Sequence, residues 1–171
     1  MTQILIGGLF IVVDILIHDY IMTQQTEIYK ICDTAALSPF ANQYTDAEWS
    51  DPDKVFIVPC FSEGSYLAYI LWNRLQHGVH WWWVLRNLYG VELMPDNVEE
   101  TKQRVIKLLD PLEVDYDEDL AMDIMDYNLV CTDFFDWDFE NWCKKGETPR
   151  TCTAKIIDDE EYNSRKLNSY Q

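Results

Sequence analysis

The sequence predicts an α+β fold in which three to four helices pack on a small, mainly antiparallel sheet that ends in a C-terminal β-hairpin. Three observations predict it. Apolar residues recur at helical spacing in segments between residues 65 and 130, short β-branched runs lie outside that region, and strict alternation marks residues 135–140. A chain of 171 residues, 48% of them hydrophobic, is long enough for one domain with a sizeable core.

Residues 1–21 form an apolar N-terminal segment. The run Ile4–Ile17 contains a single charge, Asp14, and is rich in β-branched residues. A membrane-spanning helix needs about twenty apolar residues, so we expect buried strands, with Gly7-Gly8 as a hairpin turn, rather than a membrane anchor. A start at Met22 would make the segment an appendage. The main domain is then predicted over residues 22–157, and residues 158–171 form a polar tail.

Turn-forming residues fill positions 33–54, with one short helix expected from Asp46 to Trp49. The run Lys54–Val58 predicts a strand that Pro59 ends. A helix capped by Ser65 then extends to Gln76. A second helix is expected over residues 79–89, where Gly90 would end it.

The pair Asp96 and Glu99 matches a capping box and predicts a third helix over residues 97–110. The segment 119–130 repeats apolar residues at helical spacing and predicts a fourth. Beyond it, Phe135, Trp137 and Phe139 alternate with acids, which is the period of a strand. Residues 144–149 are turn-like, and residues 150–157 predict the second strand of the C-terminal hairpin.

Thirty acids against thirteen bases give a net charge of −17. Such a charge repels nucleic acids and anionic lipids, so we expect neither direct nucleic-acid binding nor membrane binding. Between Leu108 and Trp142 the chain carries twelve acids and no base, which defines an acidic segment over residues 110–140. A basic protein surface is the partner that this segment fits.

Metal, cofactor and catalytic motifs give no signal. Residues 115–126 place acids at calcium-loop offsets, but Leu120 stands where the turn needs Gly and Asp126 is shorter than the usual Glu. His77 and His80 lack zinc-ligand partners at finger spacing. Five cysteines, no CxxC and no base before Lys30 favour free thiols in a reducing, cytoplasmic compartment, which for a viral protein means the host cytoplasm or the virion.

Residues 55–91, which contain "VFIVPCFSEGSYLAYILWNRL" and "WWWVLRNLYGV", resemble the strand–helix–helix opening of LysM-type modules, including those of phage baseplate wedge proteins. The likeness covers about a quarter of the chain and lacks the usual Gly-Asp after the strand. It is not taken as a family assignment. What it implies is a viral or phage assembly role.

We therefore expect a non-catalytic acidic protein that binds or assembles with a basic partner, with no cofactor and no metal. Two alternatives stay open: a nucleic-acid mimic that inhibits a DNA- or RNA-handling protein, and a hydrolase that uses two of the carboxylates. Three consecutive indoles point in directions about 100° apart on a helix, so at least one must meet a partner, another element or solvent. The predicted partner-binding residues are Asp115, Asp117, Asp119, Asp123, Asp126, Asp136, Asp138 and Glu140 for the acidic surface, and Trp81, Trp82 and Trp83 as apolar anchors.

Overall fold

The computed structural model describes residues 42–112 and 114–152. The predicted N-terminal strands of residues 1–21, the polar tail and residues 153–157 of the predicted hairpin lie outside these ranges. Within them the order of elements is α1 (Asp46–Ser50), β1 (Phe56–Pro59), α2 (Ser65–Gln76), α3 (Trp81–Arg86), β2 (Leu88–Glu92), α4 (Pro95–Leu109), α5 (Glu118–Asn128), β3 (Leu129–Cys131), a 3₁₀ turn (Phe134–Asp136), β4 (Trp137–Asp138) and β5 (Cys143–Lys144).

The predicted, mainly antiparallel sheet is wrong. Strands β1, β2 and β3 form a three-stranded parallel sheet in that order, and β4 pairs with β5 in a separate antiparallel ribbon. Strands β2 and β3 begin inside segments predicted as helix: residues 88–89 fall in the predicted helix 79–89, and residues 129–130 fall in the predicted helix 119–130. Both strands are short apolar runs that adjoin a helix almost directly. The spacing of apolar residues in such a short run fits a strand and a helix equally well.

The helices follow their local signals more closely. In α1, Thr45 and Glu48 make a reciprocal capping box, as expected for a helix at this position. The predicted helix from Ser65 to Gln76 is confirmed, although Gly64 rather than Ser65 is its N-cap. Helix α4 begins at Pro95 without a side-chain cap, so the predicted Asp96–Glu99 capping box is wrong.

The parallel sheet separates two apolar clusters. Phe56, Leu88 and Leu129 belong to the larger one, which contains most of the buried side chains of the helices. Val91 and Val130 point to the opposite face because neighbouring residues of a strand alternate. There they meet four rings that we call the aromatic layer: Phe134, Trp137, Phe139 and Trp142.

Of the strand predicted over residues 135–140, only β4, Trp137–Asp138, is present, and a 3₁₀ turn precedes it. Asp133 accepts a hydrogen bond from the backbone N–H of Phe135 at 2.8 Å and starts the 3₁₀ turn, so the alternation is broken. Phe135 is exposed and Trp137 is buried, although alternation placed them on one face. The C-terminal ribbon exists, but its second strand is Cys143–Lys144, and residues 150–152 are not in a strand.

Candidate functional site

The three parallel strands end at one edge of the sheet, where ligands of α/β folds commonly bind. After β1 the chain turns through Cys60 and Ser62, whose φ angles are 54° and 52°, and reaches Gly64 at 80°. After β2 it passes directly through Leu93 and Met94 into α4. After β3 it enters the 3₁₀ turn at Phe134. We call this the carboxyl edge.

Glu92 joins these segments. Its side chain is buried, and its carboxylate accepts hydrogen bonds from the backbone N–H of Ser62 at 2.8 Å, the backbone N–H of Met94 at 3.1 Å and the amide of Asn97 at 3.3 Å. Burial by itself would raise the pKa of Glu92, but these donors stabilise the charged form and hold the pKa below its ordinary value. The carboxylate therefore fixes the loop after β1 to the start of α4.

The charge of Glu92 predicts a pH-dependent loss of stability. Because its pKa is lowered in the folded state, it stabilises the fold above the carboxyl pKa of the unfolded chain, and this contribution is lost as pH falls through the folded value. We expect Glu92→Gln to lower the free energy of unfolding by about 2 kcal/mol at pH 7, with a smaller difference from wild type in acid. Urea denaturation across pH measures it, and Glu140→Gln is the exposed control. An equal loss at every pH would contradict this role.

Exposed apolar side chains cluster at the carboxyl edge. Phe135 is 78% exposed, Leu93 63% and Met94 53%. A shallow cavity of about 250 Å³ lies beside them, and its walls include both Leu93 and Phe135, together with Cys60 and Phe134. Phe134 packs on Phe139 with ring centroids 4.9 Å apart and meets Phe135 edge-on at 5.6 Å, while most of the Phe135 side chain stays exposed.

Two free thiols flank the end of β2. Cys60 follows β1 and Cys131 ends β3, and both are exposed. Cys131 lies opposite Glu92 in the strand register, while the last pair on the other side of β2 is Pro59 with Val91. Two strand spacings, about 10 Å, therefore separate their backbones. That exceeds the Cα separation of a disulfide, so these thiols are not placed to pair with each other.

The structure divides the predicted acidic residues between two places. Asp115, Asp119 and Asp123 are exposed along or just before α5 and form no ion pair within the described ranges. Asp117 is the N-cap of α5 and accepts from the backbone N–H of Leu120 at 3.0 Å. Asp126 is matched by Lys102, with 2.6 Å between Oδ1 and Nζ.

The remaining predicted acids lie beside the aromatic layer. Asp136 and Glu140 are exposed. Asp138 accepts from the side-chain amide of Asn141 at 2.9 Å and from the backbone N–H groups of Asn141 and Glu140, which lowers its pKa and stabilises the loop between β4 and β5. Asp138 thus has a structural partner, whereas Asp136 and Glu140 face solvent.

The three tryptophans predicted as apolar anchors are mostly buried. Trp81 and Trp82 are buried, and Trp83 is partly buried. The guanidinium of Arg86 lies 4.8 Å from the ring centroid of Trp82 and 5.1 Å from that of Trp83. Phe135 is far more exposed than any of them, and sequence reasoning missed it because alternation predicted that it shares a buried face.

Across residues 42–112 and 114–152, no group of three His, Cys, Asp or Glu side chains is arranged to hold a metal ion. No helix in the same part of the chain has both the length and the apolar character needed to cross a bilayer. The comparisons with known proteins found no matching family model, no significantly similar curated protein and no significantly similar solved structure.

Proposed function

We propose that this protein is a non-catalytic binding or assembly protein that engages a basic surface of a partner protein. The observation that carries the proposal is the 78% exposure of Phe135, whose neighbours in the 3₁₀ turn include Asp133 and Asp136. Lys145 Nζ donates to the backbone carbonyl of Phe135, so acids flank the ring without enclosing it. A large apolar ring with acids beside it is complementary to an apolar pocket with a basic rim.

The apolar part would supply most of the affinity. Burying a phenylalanine side chain is worth about 1.5–3 kcal/mol, and a ring loses little rotamer freedom when it docks. Leu93 and Met94 extend the apolar area at the same edge of the sheet. Central aromatic anchors of this kind dominate the energetics of many interfaces.

The acids would supply long-range attraction. A net charge of −17 accelerates the encounter with a basic partner, and salt screens this effect. Asp115, Asp119 and Asp123 on the α5 side and Asp136 and Glu140 near Phe135 are the exposed carboxylates available for it. This attraction sets the association rate more than the final affinity.

Phe135→Ala tests the proposal. We expect the free energy of unfolding of the variant to lie within about 0.5 kcal/mol of that of wild type, because the side chain is exposed. We expect its affinity for the partner to fall at least about tenfold. The measurement is capture from an extract of the source cells by wild-type and variant protein, followed by titration of the captured protein. Val55→Ala, which shortens another exposed apolar side chain, is the control.

Salt separates this proposal from the nucleic-acid mimic. Steep loss of binding with rising salt, together with equal binding by Phe135→Ala, would contradict an aromatic anchor and favour the mimic. Loss in Phe135→Ala that persists at both low and high salt supports the anchor. Asp136→Asn combined with Glu140→Gln should weaken the salt dependence and leave the anchor contribution intact.

A further inference from the structure

The second face of the parallel sheet is only partly covered. The aromatic layer packs against Tyr89, Val91 and Val130, which belong to β2 and β3. On β1, Ile57 lies in register with Tyr89 and faces the same side, since its neighbour Phe56 points into the larger cluster. Ile57 is 44% exposed, and Val55, two residues before it on the same side, is 47% exposed.

The outer edge of β1 is also available for hydrogen bonding. The backbone N–H of Phe56 donates to the carbonyl of Asn87 at 2.8 Å, and the backbone N–H of Cys60 donates to the carbonyl of Val91 at 2.7 Å. The backbone polar groups of every second residue of this segment therefore point toward β2. The N–H and C=O of Ile57 therefore point away from β2. Among the described residues, β1 has no second strand partner. Pro59 has no N–H, which limits any further strand to the part of β1 around Ile57.

A groove runs along this edge. Its volume is about 470 Å³, and its walls are residues 54–60, which include the charged Lys54 at one end, together with Tyr44, Tyr66 and Ile70. The described chain enters at this place: Asn42 is its first residue, and Tyr44 packs on Phe56 with ring centroids 5.3 Å apart. The 41 residues that precede Asn42 thus join the domain beside the groove.

We propose that the apolar N-terminal run Ile4–Ile17 occupies this groove and adds a strand to the outer edge of β1. The run is rich in β-branched residues and carries one charge, so it suits a strand that is half buried on an apolar face. Residues 18–41 span up to about 80 Å when extended, so their length permits the return. The charge of −17 opposes pairing of two copies at this edge.

This proposal does not depend on the proposed function, because it concerns the outer edge of β1 rather than Phe135 and needs no partner protein. Its experiment places a photo-crosslinking benzoylphenylalanine at position 57 of the full chain. After irradiation, we expect an intramolecular cross-link from position 57 to a residue within 4–17, found by mass spectrometry at the mass of one chain. The same group at position 135 is the matched control and should give no such product.

Three results would overturn the proposal: a product with the mass of two chains, a cross-link to a different part of the chain, and no cross-link at all. The double variant Ile11→Lys, Val13→Lys supplies a second readout. It should raise the hydrogen-exchange rate of the Ile57 amide at least roughly tenfold, because that amide would lose its acceptor. An unchanged exchange rate of the Ile57 amide in this variant would contradict the proposal. Insertion of residues 4–17 into added lipid vesicles, with loss of the cross-link, would contradict it as well.

Discussion

Gly64→Ala is expected to lower the free energy of unfolding by about 2–5 kcal/mol, which is a large part of the stability of an ordinary domain. Gly64 is the N-cap of α2 and has a φ of 80°, where a side chain is strained. A Cβ at this position would lie 2.4 Å from Oγ1 and 2.5 Å from Cγ2 of Thr101. Thr101 is fully buried in α4, so neither helix has room to yield.

Gly78→Ala is the matched control for this effect. Gly78 has almost the same φ, 78°, but a Cβ there would meet nothing within 4 Å. Its replacement therefore measures the backbone cost alone, about 1 kcal/mol. Urea denaturation of both variants gives the difference. Thr101→Ala in the Gly64→Ala background should recover part of the loss, because it removes the two closest atoms. Equal losses in the two glycine variants would show that the contact between α2 and α4 is not tight.

The elements that could be predicted from sequence are those with complete local signals. Helix α2 has buried stripes and stops at a glycine, and α1 has its capping box in the sequence. Strand β2 has no such signal. Leu88 and Val91 fit a helix as well as a strand, and what decides is pairing with β1 and β3, whose residues lie more than thirty positions away. The parallel order of the sheet was therefore beyond local reasoning.

The candidate site was harder to predict for the same reason. Glu92 is one of thirty acids, and nothing near it in the sequence separates a buried carboxylate with three donors from a solvated one. Phe135 has a usable local signal, since Asp133 stands where an aspartate starts a turn, and turn chemistry took precedence over alternation. The acidic segment could be recognised from the sequence. Which of its carboxylates stay exposed, which cap a helix or turn and which pairs with Lys102 depends on tertiary contacts.

Arg74→Met is expected to lower the free energy of unfolding by about 2–4 kcal/mol. Arg74 lies in α2 with no exposed surface, and its guanidinium donates to the carbonyls of Asp51 and Lys54. It also lies 5.4 Å from the ring centroid of Phe56. These contacts hold the loop that precedes β1. Removing them leaves two carbonyls without their charged donor and frees the loop.

Two opposing effects set the size of this loss. Burial lowers the pKa of Arg74, although Asp51 and Asp53 favour its charge, so methionine removes a desolvation cost as well as two hydrogen bonds. We expect the loss of the two hydrogen bonds to outweigh the relief of the desolvation cost, because each bond is charge-assisted and both hold the same loop. Arg74→Lys should recover little, since an ammonium lacks the fork that reaches both carbonyls. Urea denaturation measures all variants, with Lys107→Met as the exposed control. A stability of Arg74→Met equal to that of wild type would show that the desolvation cost cancels the two hydrogen bonds.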